Sequence, residues 1–89
     1  MIFLVVFEAD PKGQSYAMIS QKLRNHPNSY HSFGTTWFVA DKEMKNATQL
    51  YDELIPLLDK NDSLFVTPVS RNFAGYIRGD NTDWLEANL

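Results

Sequence analysis

Ile2–Phe7 is an unbroken run of apolar, β-forming residues, and Glu8-Ala9-Asp10-Pro11-Lys12-Gly13 ends it. A run this short, closed by Pro and Gly, predicts a strand. The period then changes. Tyr16, Ile19 and Leu23 fall on one stripe at helical spacing with Lys22 and Arg24 outside it, Ser15 ahead as a cap and Asn25-His26-Pro27-Asn28 behind as a stop. Tyr30–Phe33 and Thr35–Ala40 read as two strands about Gly34, and Asp41–Lys45 is a polar connection. Asn46 with Gln49 three residues on resembles a capping box. Ala47, Leu50, Tyr51, Leu54, Leu57 and Leu58 then form the apolar face of a second helix, whose last turn Pro56 should kink or end. Asp59–Asp62 is the turn out, and Leu64–Val66 opens a fourth strand closed near Pro68. Phe73–Ile77, containing Gly75, predicts a short fifth strand, and Thr82–Asn88 a last short helix around Trp84 and Leu85.

The order is β-α-β-β-α-β with a strand and a helix appended. Right-handed crossovers on each β-α-β half place the strands in an antiparallel sheet of order 4-1-3-2 with both helices on one face. The expected class is therefore α+β, of ferredoxin-like architecture.

That architecture has a difficulty. In the first strand Ile2, Leu4, Val6 and Glu8 point to one face and Phe3, Val5 and Phe7 to the other, so both faces are apolar until Glu8. Trp37 and Val39 oppose Phe38 in the third strand in the same way. A half-solvated antiparallel sheet alternates apolar with polar, and two helices cover only one face. The other would be a larger apolar patch than a monomer normally exposes. A two-fold homodimer closing sheet on sheet is the expected solution. In the alternative the appended strand and tail helix fold back over that face, but seven helical residues are few for a four-stranded sheet.

Composition narrows the class. Eighty-nine residues with 44% hydrophobic and 21% charged side chains make one globular domain, residues 1–89. A monomer of 10.2 kDa should expose roughly 5,300 Å² once folded. The absence of cysteine excludes a disulfide scaffold, a thiolate zinc site and a cysteine nucleophile. Eight basic against eleven acidic residues give a net charge of −3, so the overall field does not attract a polyanion. Residues 1–45 are nevertheless slightly basic, and Lys12, Lys22 and Arg24 are the candidates for a local nucleic-acid patch. Met1–Phe7 is too short to span a bilayer and no basic stretch precedes it, which points to a cytoplasmic protein with no membrane partner. In that compartment Asn46-Ala47-Thr48 starts a helix rather than carrying a glycan, and Arg78-Gly79-Asp80 is a turn.

Several features together carry a family resemblance: the element order, the Phe7-Glu8 end of strand one, the central Thr35-Thr36-Trp37-Phe38-Val39, and Asn61-Asp62-Ser63-Leu64-Phe65-Val66-Thr67-Pro68. Over almost its whole length the chain resembles the second CRISPR-associated protein, the small adaptor of the spacer-integration complex. It is most similar to short bacterial and phage relatives termed SinR-like, which end much as Trp84-Leu85-Glu86-Ala87-Asn88-Leu89 does here. Virulence-associated protein D ribonucleases share the fold. The resemblance implies two-fold dimers, often with strand five crossing to the partner's sheet, and in some members a metal-dependent nuclease. It also implies a functional aspartate at the end of strand one, facing its copy across the dyad. Glu8 occupies that position here, one methylene longer, with Asp10 two residues on as a second candidate ligand.

Two functions are then in view. One is a metal-dependent endonuclease on RNA or DNA, in which paired Glu8 carboxylates, helped by Asp10, hold Mg²⁺ or Mn²⁺ and Glu8 is the catalytic acid. The other is a non-catalytic adaptor or regulatory dimer. It is favoured by the acidic charge, the glutamate in place of aspartate, and the lack of a second acid on an adjoining strand. His26 and His31 are of the residue type suited to general-base work, but no orienting acid is apparent for either, and they read as loop and strand-edge residues. Gly13 and Lys12 precede the first helix, where backbone amides can meet a phosphate.

Overall fold

A computed structural model describes residues 1–89. Four strands, β1 (Ile2–Glu8), β2 (Ser29–His31), β3 (Thr36–Ala40) and β4 (Ser63–Val69), alternate with helices α1 (Gln14–Arg24) and α2 (Ala47–Leu54), and α3 (Asn81–Asn88) follows. All strand pairs are antiparallel and the sheet runs β2-β3-β1-β4, which read from the β4 edge is 4-1-3-2. No helix is long and apolar enough to cross a membrane.

The local rules account for most boundaries. A turn closed by Gly13 N–H donating to the Asp10 carbonyl at 2.8 Å delivers the chain into α1. The cap is therefore Gly13 rather than the expected Ser15, and no side chain closes it. Gly34, at φ +53°, makes the β2–β3 turn in a region side chains resist. Asn46 caps α2 by accepting from Gln49 N–H at 3.1 Å, while the Gln49 amide oxygen reaches back to Lys45 N–H instead of to the cap residue. Only half of the expected box forms. At Ile55 the α-helix gives way to a single 3₁₀ turn, Ile55–Leu57, which accommodates Pro56. β4 continues through Pro68 to Val69 because it is an edge strand, where a missing N–H disturbs no second partner.

Register explains the core. Phe3, Val5 and Phe7 of β1 share a face with Trp37 and Val39 of β3, and α1 and α2 bring Ile19, Leu23, Leu50 and Leu54 against it. On the opposite face, Val69, Ile2 and Ala40 form one row across the sheet, Thr67, Leu4, Phe38 and Tyr30 the next, and Phe65, Val6 and Thr36 the third.

Two expectations need correction. Residues 73–77 form no strand. The chain from Ser70 to Asp80 instead crosses over the second face without regular structure and returns α3 to the sheet. That return also covers more than seven helical residues suggest. Leu85 is buried against Ile2 and Phe38, and Trp84, Ile77 and Leu89 widen the cover. α3 is moored along β2 by Ser32 Oγ–H donating to Asn81 Oδ1 at 2.6 Å, by Tyr30 to Asp80 and by Asn28 to Asn88. Buried Asn81 also donates to the Arg78 carbonyl, so its amide is satisfied at both ends. The cover stops short of the third row, where Val6 is 37% and Phe65 64% exposed.

The Tyr30–Asp80 contact makes the mooring sensitive to pH. The hydrogen bond holds the Tyr30 hydroxyl above its ordinary pKa and Asp80 below its own. A lowered carboxylate stabilises the fold above its unfolded pKa and loses that contribution as pH falls through the folded value. A raised phenol stabilises below its unfolded pKa and loses it as pH rises through the folded value. The urea midpoint of the protein should therefore exceed that of Tyr30→Phe most between about pH 5 and pH 9, and converge on it or fall below it on either side. A pH-independent difference would show that the pair does not form.

Candidate functional site

Glu8 is the last residue of β1, opposite Ser63 of β4, and lies on the face opposite α1 and α2. Alternation puts its side chain on the same face as Val6, one row beyond the exposed Val6–Phe65 pair. Val6, Glu8, Thr35, Ser63 and Phe65 line a shallow hollow of about 290 Å³. The Glu8 carboxylate is exposed, and no partner within the chain holds it. Asp10, the second candidate ligand, is engaged: its Oδ1 accepts Lys12 N–H at 3.0 Å and shapes the loop into α1. No three His, Asp or Glu side chains converge to hold a metal ion within one chain. Magnesium keeps most of its waters and takes one or two carboxylates beside a substrate's phosphates, and Glu8 supplies one such carboxylate per chain. Toward the ion that the resemblance implies, each chain therefore offers a single free carboxylate, Glu8.

The three candidate cations are not brought together. Lys12 precedes the first turn of α1, whereas Lys22 and Arg24 occupy its last turn. At 1.5 Å per residue the ends lie about 15 Å apart along the helix. Arg24 places its guanidinium 5.6 Å from the centre of the Trp37 ring, a cation–π contact that draws it toward the protein. Lys22 instead borders a polar cleft with His26, Asp41 and Glu53. Glu8 is at the opposite end of α1 from both.

Within that cleft, His26 Nε2 lies 3.2 Å from Glu53 Oε2, with the imidazole only 10% exposed. Sequence reasoning found no acid for His26, because its partner is 27 positions away on α2 and no local spacing joins them. The pair ties the α1–β2 loop to α2. His31 stacks on Trp37 at 4.4 Å with the rings 6° from parallel, and its Nε2 lies 2.6 Å from the Gly34 carbonyl. Both histidines are thus committed to packing and hydrogen bonding where they stand.

What the site offers chemically is one free carboxylate beside an apolar pair at the uncovered end of a sheet. No family model matches the chain, and neither a curated protein nor a solved structure matches it.

Proposed function

We propose that the chain is a cytoplasmic, ferredoxin-like protein that acts as a homodimer, a non-catalytic adaptor or regulatory binding module resembling the CRISPR-associated adaptors. The observation that carries this reading is the Val6–Phe65 pair, left open on a sheet face whose other half is covered. Surface area supports it. The chain exposes 5975 Å², roughly 650 Å² more than the 5,300 Å² or so typical of a monomer of this mass. The excess is close to the ~800 Å² each partner of a standard interface buries. The β-α-β-β-α-β order and antiparallel sheet agree with the ferredoxin-like assignment.

Sedimentation tests the dimer. The protein at micromolar concentration should run at twice its 10.2 kDa chain mass, and Phe65→Glu at the chain mass itself. A single-chain species for the unmodified protein rejects the reading.

Glu8 motivates a second one. Closure over Val6 and Phe65 draws two Glu8 carboxylates toward one axis, and such a pair is a usual carboxylate complement for Mg²⁺ or Mn²⁺ in an endonuclease. Metal-dependent loss of labelled RNA or DNA, abolished by Glu8→Gln in a dimer that stays intact, would establish it. Equal cleavage by the variant would trace the activity to a contaminant.

A further inference from the structure

The sheet face that α3 covers is not filled. Leu4 belongs to a central strand and is flanked by Phe38 of β3 and Thr67 of β4, yet it is only half-buried. Such a position is normally among the most enclosed in a sheet, as Phe3 and Val5 on its two sides are. It stays open because a cavity of about 300 Å³ stands over it. The sheet is its floor, Leu85 of α3 forms one wall, and the irregular chain from Ser70 to Ile77 forms the other, with Phe73 and Ile77 contributing apolar surface.

The chemistry of the lining is selective. None of its thirteen residues is charged, although charged residues make up 21% of the chain; the polar cleft at the far end of α1 has Lys22, Asp41 and Glu53 among only six. An ionised ligand would lose its hydration here with nothing to pair it. Hydrogen-bonding capacity is nevertheless present in the lining, where Thr67, Ser70, Asn72 and Thr82 bring hydroxyl and amide groups to a mostly apolar space. A mostly apolar cavity with a few polar groups, at the small end of the usual ligand range, is the form small-molecule sites take.

We propose that this cavity binds an uncharged small molecule, an apolar ring or branched chain carrying one or two hydrogen-bonding groups. The site lies within one chain and does not depend on dimer formation. Its wall from Ser70 to Asp80 has no regular structure, so it can adjust around an occupant at little cost.

Fluorescence titration tests this with two dyes of nearly the same shape: phenylnaphthylamine, which is neutral with one N–H, and anilinonaphthalene sulfonate, which carries a fixed negative charge. The neutral dye should bind saturably, one per chain, and at least about tenfold more tightly than the sulfonate. Thr67→Phe, which fills the floor, should weaken the neutral dye by about tenfold or more. Thr82→Trp, on an exposed helical position that tolerates a large side chain, should do the same if Thr67→Phe fails to fold. Phe65→Glu, outside the cavity, should leave binding unchanged and also separates this site from the dimer surface. Equal affinity for the two dyes, no saturable binding, or binding lost in Phe65→Glu but retained in the filled variants would overturn the proposal.

Discussion

Phe3→Ala is expected to lower the stability of the protein by about 3–5 kcal/mol. Phe3 is fully buried, sits on the central strand, and belongs to the cluster that joins both helices to the sheet. No single element can move to fill the space it leaves, because α1 and α2 are held apart by their own contacts with Trp37, Val39 and Phe7. Small domains have only about 5–15 kcal/mol in total, so the variant should be near its limit at room temperature. Urea denaturation followed by circular dichroism should show a much lower midpoint with an unchanged slope. Phe65→Ala makes the comparison sharp. The same chemical change at a side chain 64% exposed should cost no more than about 0.5 kcal/mol in the single chain. Similar losses at the two positions would mean that Phe3 is not enclosed as described.

Leu85→Asp should have the second largest effect, and a different kind. Leu85 is 3% exposed between Ile2 and Phe38. An aspartate there would be a charge without a partner, a cost of several kcal/mol that the fold can escape by releasing α3 alone. Eight residues are too few to remain helical in water once undocked. The helical signal should therefore drop by about one short helix while the main urea transition persists. Trp84, packed on Tyr30 and Phe38, should shift to water-like emission, and Trp37, 3% exposed in the other cluster, should keep its buried spectrum. Loss of both tryptophan environments in one transition would show that the two faces of the sheet fold as a single unit.

The contrast between the two faces also marks what the residue pattern could express. The helix-covered face was legible because Phe3, Val5 and Phe7 alternate strictly and because Tyr16–Leu23 and Ala47–Leu58 carry helical stripes of their own. Sheet order followed from the handedness of two crossovers. The apolar character of the second face was legible too, whereas the extent of its cover by α3 was not. What covers it depends on Tyr30 meeting Asp80 and Ser32 meeting Asn81, pairs about fifty positions apart that no local spacing announces. Phe73–Ile77 has the composition of a strand but pairs with neither edge of the sheet, and propensity does not report which neighbours a segment meets. At the candidate site, the position of Glu8 at a strand end was legible. The distance between Lys12 and Lys22 was too, since it follows from the helix between them, whereas the His26–Glu53 contact needed the packing of α2.

The placement of β1 has a consequence for biogenesis. Of the four strands it is made before the others, yet both its neighbours, β3 and β4, come later, and its pairing with β4 joins Glu8 to Ser63 and Ile2 to Val69. Contacts of such long range are slow to close. Until β4 has left the ribosome, the nascent chain therefore holds a greasy, half-paired ribbon that invites adventitious annealing with other polypeptides. Anything that delays the emergence of β4 should raise the demand for chaperones.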